Sequence, residues 1–379
     1  MSRDEQSRSS KRLAHNHGEL MKRVLIVIKG LGRGGAEQLL VSAAPYLDRS
    51  RFEYHFAYVL PHKDALVAKL TGLGFPVHCV GGGRKASWIT RLSRLARDFD
   101  LVHVHSPVAA TALRLMTRKP ALVCTEHNVW GRYHRATYWA NRLTFNLNDH
   151  VFAVSDEVHR SMRSLPWVQL PSVETLYHGP DRAELARWIG VDGVREELGI
   201  SESAPLIGTV ANFKTHKGYP HLMTAAAAVC KELPGARFVL VGQGPLEPEI
   251  KAIARELEIE DSVIFTGYRE DVPRLMAAFD VFAMASLHEG LSIALLEAMS
   301  LGKPPVVTRV GGLPEVVGTD EGFVVEPADP ETLANRIVTL LRDPELRERL
   351  GAGAKRRAES FDISRTVART EAIYDEILS

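Results

Sequence analysis

Short apolar runs rich in β-branched residues alternate with longer amphipathic segments along most of the chain. The first run, residues 23–28, carries no polar side chain after Arg23 and is typical of a strand buried on both faces of a parallel sheet. Comparable runs recur at residues 101–105, 238–242 and 305–308. Strands that alternate with helices in this way predict parallel sheets with right-handed crossovers.

The alternation pauses at residues 177–181, which contain a Gly-Pro-Asp turn signal, and starts again at residue 206. We therefore predict an α/β protein with two doubly wound halves: a disordered tail (1–21), an N-terminal domain (22–180), a C-terminal domain (181–360) and a last helix (361–379). Such sheets bind ligands beyond the carboxyl ends of their strands, so two facing sheets would enclose a ligand in one cleft.

Composition narrows the class of protein. The 379 residues are 45% hydrophobic and 25% charged, with a formal net charge of +1, which favours a folded enzyme and gives no global attraction for nucleic acid. The three cysteines are scattered and form no zinc-binding pair. No apolar run reaches the ~20 residues of a membrane span, and the polar N-terminus does not resemble a signal peptide, so we expect a cytoplasmic protein.

The first strand is followed by a glycine loop. Gly30, Gly32 and Gly35 match the dinucleotide-binding fingerprint, in which backbone amides at a helix N-terminus approach a phosphate. The fingerprint also expects an acid at the end of the second strand, whereas the first acid there is Asp64. A nicotinamide site, a phosphate contact of another nucleotide and a purely structural turn all remain open.

The stretch with the most candidate binding residues in the second half of the chain runs from residue 285 to residue 299. Glu289, Gly290 and Ser292 lie at a predicted loop and helix start, and Glu297 lies within the apolar helix that follows. A buried acid needs a partner, and two ribose hydroxyls would supply one. The alternative is a first-turn acid that favours the helix dipole, together with a core acid paired with an arginine.

Two more clusters follow strands of the second half. Residues 212–218 carry Lys214, His216 and Lys217, cations suited to a diphosphate leaving group, although a solvated basic loop is the alternative. Residues 267–271 form a turn whose backbone can reach a base edge, which alone is a weak signal.

Taken together and in order, these motifs resemble the retaining glycosyltransferase family 4 (group 1). The matching segments, spread over residues 22–375, are residues 34–37, 100–105, 217–218, 241–245, 265–268, 302–304 and 311–315, with the two glutamates Glu289 and Glu297 separated by seven residues. The resemblance implies the GT-B fold, in which two Rossmann-like domains face a central cleft and a C-terminal helix returns to the N-terminal domain.

The resemblance also implies roles. Glu297 would bind the donor ribose, Glu289 the donor sugar and Lys217 the diphosphate, while His127 would lie near the acceptor, although a buried hydrogen-bonded histidine is the alternative for it. The catalytic residues expected are His127, Lys217 and Glu289; the donor-binding residues expected are Gly34, Gly35, Asn212, Gly242, Tyr268, Arg269, Gly290, Leu291, Ser292 and Glu297.

Two departures from the family pattern matter. Asn212 stands where the family usually carries an arginine, and an amide lacks the charge and the fork of a guanidinium; Lys214 or His216 is a candidate replacement. Leu291 and Ser292 replace the common Phe-Gly pair, which leaves the donor sugar open.

The expected reaction moves a sugar from a UDP- or GDP-sugar to a hydroxyl of a glycan or lipid-linked acceptor, with retention and without a metal or cofactor. Two alternatives are an NAD-dependent oxidoreductase and a nucleotide-sugar-binding protein without activity. The basic segments 84–97 and 130–142 suggest peripheral contact with an anionic membrane, next to the ordinary alternative of amphipathic helices that cover the sheet.

Overall fold

The computed structural model describes residues 21–83, 86–117, 119–163 and 172–379. The first sheet is built from seven strands: β1 (Lys22–Ile28), β2 (Phe52–Tyr58), β3 (Val77–Cys79), β4 (Leu101–Val104), β5 (Ala121–Glu126), β6 (His150–Ala153) and β7 (Ser172–Thr175). All are parallel, in the order β3-β2-β1-β4-β5-β6-β7. Strands β4 and β6 are buried along their whole length, as expected of strands that are covered on both faces of a parallel sheet. The predicted tail falls almost entirely outside the described residues.

The second sheet has six parallel strands: β8 (Leu206–Val210), β9 (Arg237–Val241), β10 (Val263–Gly267), β11 (Val281–Met284), β12 (Pro305–Thr308) and β13 (Phe323–Val325). Their order is β10-β9-β8-β11-β12-β13. In both sheets the order reverses direction beside the first strand, and the crevice at this reversal is where doubly wound folds bind ligands. The predicted α/β architecture of two doubly wound domains is confirmed.

Helices cover both sheets. Those of the first half are α1 (Gly35–Ala43), α2 (Val67–Gly72), α3 (Ser87–Ala96), α4 (Pro107–Met116), α5 (Arg135–Thr144) and α6 (Asp156–Arg163). The rest are α7 (Arg182–Ala186), α8 (Val194–Glu197), α9 (Tyr219–Glu232), α10 (Glu247–Glu256), α11 (Val272–Ala278), α12 (Ile293–Ser300), α13 (Leu313–Val316), α14 (Pro330–Arg342), α15 (Pro344–Ala358) and α16 (Ile363–Leu378).

The basic helix α3 packs its apolar face inward. Leu92 is fully buried, and Trp88 and Leu95 pack against the core of the first domain. Arg84 and Lys85, which begin the predicted basic segment, lie outside the described residues. The apolar face of α3 therefore covers the sheet, as the ordinary alternative expects.

The last helix returns to the first domain, as expected. Tyr374 of α16 is buried, and its hydroxyl lies 2.5 Å from Nδ1 of His103 on β4. Glu371 accepts a hydrogen bond of 2.7 Å from the hydroxyl of Tyr54 on β2. Where the chain recrosses, a Cβ on Gly179 would lie 2.2 Å from the backbone nitrogen of Asp362, so the two crossing segments touch and only glycine fits. The chain therefore connects the two domains twice, around Gly179 and around Asp362, and these two connections lie side by side.

Candidate active site

Most of the predicted site residues lie on loops at the carboxyl ends of both sheets, and these two edges meet; Glu297 lies on α12 and Gly35 begins α1. A Cβ on Gly290, in the loop after β11, would lie 2.0 Å from the carbonyl oxygen of His127, in the loop after β5. A Cβ on Gly312 would lie 2.9 Å from that of Ser155 at the end of β6. The two domains therefore form the walls of one cleft, with backbone against backbone at its floor.

A charged pair stands at the second edge. Nζ of Lys217 lies 2.5 Å from Oε1 of Glu289, and the hydroxyl of Ser286 donates to the same oxygen at 2.8 Å. The two charged side chains are only 17% and 9% exposed. Among the described residues Oε2 of Glu289 has no hydrogen-bond partner, which leaves this oxygen free to accept from a ligand hydroxyl.

Close backbone packing brings these loops together. Gly218 has φ +66°, and a Cβ there would lie 1.9 Å from the carbonyl oxygen of Ala285, so the turn after β8 can lie against the end of β11 only with glycine. Gly242, predicted to bind the donor, has φ +145°, and its Cβ would lie 2.1 Å from the carbonyl oxygen of Ala211. These glycines are needed for the loop geometry whether or not a ligand touches them.

Glu297 is half-buried on α12 and has no ion-pair or hydrogen-bond partner among the described residues. Burial disfavours its charged form and raises the pKa of this carboxyl to about 7. The alternative of a core acid paired with an arginine is therefore not what the described part of the chain shows. A carboxylate left in this state beside a cleft is suited to a ligand that donates hydrogen bonds.

Two of the residues that depart from the family pattern, Leu291 and Ser292, have structural tasks. The hydroxyl of Ser292 caps α12 by accepting from the amide of Leu295 at 3.3 Å. Leu291 is half-buried and packs against apolar clusters of both domains. Both side chains thus serve the helix start and the domain contact, and their predicted contact with the donor stays a prediction.

The turn after β10 is held by carboxylates. Arg269 donates two hydrogen bonds to Asp271 at 2.7 and 2.8 Å, and a nitrogen of the same guanidinium lies 2.7 Å from Glu197. These partners raise the pKa of Arg269. The ring of Tyr268 has a different neighbour: the guanidinium carbon of Arg33, from the glycine loop of the first domain, lies 3.8 Å from the ring centroid.

The glycine loop faces the second domain. The side-chain amide of Asn212 donates to the carbonyl oxygen of Arg33 at 3.3 Å. A Cβ on Gly34 would lie 2.2 Å from Oε2 of Glu37, whereas a Cβ on Gly35 would meet nothing within 4 Å, so open space lies before the first turn of α1. Burial raises the pKa of Glu37.

Histidines line the edge of the first sheet. Nε2 of His127 lies 3.0 Å from Nδ1 of His105, and the rings of His103, His105, His127 and His178 follow one another at centroid distances of 4.3, 5.3 and 5.9 Å. Burial lowers the pKa of all four, to about 4 for His127 and about 3 for His178. Both ring nitrogens of His178 are buried and have no hydrogen-bond partner in the part of the chain that the structure describes. His127 is therefore a neutral imidazole at the cleft, one side of which is bound by another histidine.

Sequence reasoning missed the contact made by Glu315, although its motif was noted. Its carboxylate accepts from the amides of Asp156 and Glu157 at 2.8 Å each, at the start of α6 in the opposite domain. The hydroxyl of Tyr177 donates to it at 2.9 Å. A carboxylate at a helix N-terminus is stabilising, so this contact ties the domains together. No sequence signal pairs Glu315 with α6, because the two lie in different domains.

Among the described residues, no helix is long and apolar enough to cross a bilayer. Nor does any group of three or more histidine, cysteine, aspartate or glutamate side chains there have the arrangement of a metal site.

Comparisons with known proteins agree with this architecture. Residues 33–184 match the family model "Glycosyltransferase Family 4" and residues 192–357 match "Glycosyl transferases group 1". The N-acetyl-alpha-D-glucosaminyl L-malate synthase of Bacillus anthracis is 35% identical over 295 residues, covering 74% of this chain and 76% of that protein. The putative glycosyltransferase EpsF of Bacillus subtilis is 28% identical over 341 residues, covering 85% and 87%.

Among solved structures, HepE of Anabaena in complex with UDP-glucose superposes with a TM-score of 0.80 at 23% identity, covering 92% of this chain and 99% of that one. At this identity the match concerns the fold. With two family models in tandem and a relative that is 35% identical, the oxidoreductase alternative is set aside. The chain belongs to glycosyltransferase family 4, group 1, and is a glycosyltransferase with the GT-B fold.

Proposed function

We propose that this enzyme transfers a sugar from a nucleoside diphosphate sugar, first of all a UDP-sugar, to an acceptor hydroxyl with retention of the anomeric configuration. The observation that carries the proposal is the carboxylate of Glu297, which has no partner among the described residues and lies on α12, the helix that follows the loop bearing Glu289 of the Lys217–Glu289 pair. The UDP-glucose complex of the structural neighbour makes UDP-sugars the first donors to test. The Bacillus anthracis relative is an N-acetyl-alpha-D-glucosaminyl L-malate synthase, so UDP-N-acetylglucosamine belongs among the UDP-sugars to test.

Glu297 supplies a place for the ribose. Its carboxylate is poorly solvated and lacks a protein donor among the described residues, so its charged form gains most from a ligand that brings two hydroxyl groups. A ribose with free 2′ and 3′ hydroxyls has this chemistry.

Lys217 and Glu289 have different roles at the bond that reacts. The ammonium group stabilises negative charge that develops on the departing diphosphate, while Oε2 of Glu289 remains free for a sugar hydroxyl. Glu289 also keeps the lysine oriented before the donor arrives. Catalysis then depends on positioning and on charge stabilisation, with a proton passing from the acceptor hydroxyl to the leaving phosphate.

His127 closes the site from the acceptor side. Because its ring is neutral and its carbonyl oxygen packs against Gly290, it brings an uncharged polar group next to the donor loop. We assign it the positioning of the acceptor or of the reacting sugar.

The test is a screen of UDP- and GDP-sugars for donor hydrolysis and for transfer, with the product configuration read by NMR. Turnover of one donor, formation of an α-product from an α-donor and full activity in excess chelator are the expected results. An inverted product would contradict retention, and loss of turnover on chelation would contradict metal independence. Binding without hydrolysis or transfer would favour the non-catalytic alternative.

We also propose peripheral contact with an anionic membrane, favoured by one surface. Trp139, Leu143 and Leu147, on and just after α5, are 46%, 72% and 49% exposed, and Leu115 at the end of α4 is 65% exposed. Exposed Arg135 lies on the same helix. Exposed apolar side chains with a cation on the same helix suit an anionic lipid surface, which would present a lipid-linked acceptor. Sedimentation with anionic vesicles at low salt should require Leu143, and a Leu143→Ser variant that binds equally well would contradict the proposal.

A further inference from the structure

The predicted diphosphate site lacks an uncommitted guanidinium on the second domain. Asn212 is neutral, and Lys217 is held by Glu289 at 2.5 Å. Arg269, the nearest arginine in the sequence to Tyr268, has its donors directed to Asp271 and Glu197. A diphosphate carries more negative charge than the paired Lys217 balances, so a further cation is expected.

Arg33 reaches this place from the opposite domain. Its backbone is fixed by the hydrogen bond from Asn212 to its carbonyl oxygen, 3.3 Å long, and its side chain extends to the ring of Tyr268. Asn212 follows β8 and Tyr268 follows β10, so the side chain of Arg33 lies across the carboxyl end of the second sheet. Lys217 is on the same loop as Asn212, five residues further along.

The guanidinium of Arg33 is exposed, and among the described residues no carboxylate pairs with it. Stacking on the Tyr268 ring occupies one face of the guanidinium and orients it, but leaves its N–H groups available. Arg33 is therefore an oriented, uncommitted guanidinium at the predicted donor site, whereas Arg269, which follows Tyr268 in the chain, is committed to carboxylates.

We propose that Arg33 binds the diphosphate of the donor and takes the place of the guanidinium that is absent at Asn212. Because the N-terminal domain carries Arg33, this charge reaches the donor only when the domains are closed, and donor binding favours closure. The inference rests on the proposed function, since it names a further donor-binding residue of the same site.

The test compares Arg33→Ala with the wild type in calorimetric titrations with UDP and, separately, with uridine, which lacks the phosphates. Loss of charge-assisted hydrogen bonds to the diphosphate should weaken UDP binding about tenfold or more and leave uridine binding nearly unchanged. Arg33→Lys should fall between the two. Arg349→Ala on α15, an exposed arginine elsewhere, is the matched control and should bind UDP as the wild type does.

A rescue variant tests the replacement itself. Asn212→Arg in the Arg33→Ala background should recover at least part of the UDP affinity, because it restores a guanidinium at the second domain. Equal loss of UDP and uridine binding in Arg33→Ala would assign Arg33 to the base and overturn the proposal. Unchanged UDP affinity in Arg33→Ala, together with weaker UDP binding in Lys214→Ala, would also overturn it. If the wild type binds neither UDP nor GDP, the proposed function itself fails.

Discussion

The two sheet edges that face each other across the cleft have opposite chemistry. One part of the N-terminal edge, formed by β4 and the loops after β5 and β7 and called the neutral edge below, carries histidines in ring contact, whose pKa values are lowered by burial. The charged Arg33 lies apart from these histidines, on the glycine loop after β1. The edge of the C-terminal sheet carries the Lys217–Glu289 pair, the Arg269–Asp271 pair and the unpaired Glu297. The charged edge is suited to a phosphorylated donor, and the neutral edge to an acceptor that brings no charge.

The difference also explains which edge needs glycine. At the charged edge Gly218 and Gly290 allow backbones to pass close to each other, since a Cβ would lie within about 2 Å of a carbonyl oxygen at each position. At the neutral edge imidazole rings fill the space, with centroids 4.3–5.9 Å apart. The charged edge thus relies on close backbone contacts and on charges held in place, whereas the neutral edge relies on packed side chains.

The largest effect is expected from Glu289→Gln, which removes the charge that holds Lys217. Turnover should fall about 100- to 1000-fold, the range found when one preorganised group for the transition state is lost. Thermal unfolding should confirm that the fold is retained. Turnover within threefold of the wild type would show that the ion pair serves stability alone.

The unpaired acid predicts a pH-dependent stability. Because burial raises the pKa of Glu297 to about 7, ionising it in the folded state costs free energy that is absent below its unfolded pKa near 4.5 and complete above pH 7. Glu297→Gln should therefore unfold with a free energy up to about 3 kcal/mol higher than the wild type at pH 8, with the difference vanishing towards pH 4.5.

Urea unfolding at pH 8, 6.5 and 5 measures this difference. The same variant should bind UDP more weakly, because the ribose loses its charged acceptor. Parallel stability curves for the two proteins would contradict the assignment of an unpaired, poorly solvated carboxylate.

The point of contact between the edges can be tested with one methyl group. Gly290→Ala places a Cβ against the carbonyl oxygen of His127, so the domains must shift apart and turnover should fall about tenfold or more. Gly131→Ala is the matched control, because a Cβ there meets nothing within 4 Å. Small-angle scattering should show a larger radius of gyration for Gly290→Ala only. Equal activity of both variants would contradict close approach at this point.

The smallest effect concerns the neutral edge. His178 has its pKa lowered to about 3 from an ordinary value of 6.5, so its contribution to stability is complete above pH 6.5 and is lost as the pH falls. Unfolding of the wild type below pH 6 takes up about one proton at His178. His178→Asn removes this uptake, so the slope of the unfolding free energy against pH should fall by about 1.4 kcal/mol per pH unit. Urea unfolding between pH 6.5 and pH 4 measures it, and an unchanged slope would place His178 in contact with water.

Much of the architecture could be predicted from local patterns. The buried strands and the long helices α9, α14 and α15 have strong periodic signals and stop signals close to their observed ends. The half-exposed edge strand β7 and helix α4 have weaker signals in the sequence. Pro107 looks like a helix breaker, yet it stands at the first helical position, where its missing N–H costs nothing. Short edge strands carry little pattern because little of their surface is buried.

The candidate site divides in the same way. Glu289, Glu297 and Lys217 could be named because each follows a strand in a recognisable motif. That Lys217 pairs with Glu289, while Glu297 stays unpaired, depends on distances between separate loops. The commitment of Arg269 to Asp271 and Glu197 likewise needs three-dimensional positions.

The sequence by itself determined two doubly wound sheets, the loops at their carboxyl ends and the residue types those loops carry, because these follow from local periodicity and turn chemistry. Only the tertiary structure decided which loops meet across the cleft. Three of these contacts join residues more than 130 positions apart: Arg33 with Tyr268, Glu315 with α6, and Gly290 with His127. Such contacts follow from how two independently patterned domains pack, and no local pattern encodes that packing.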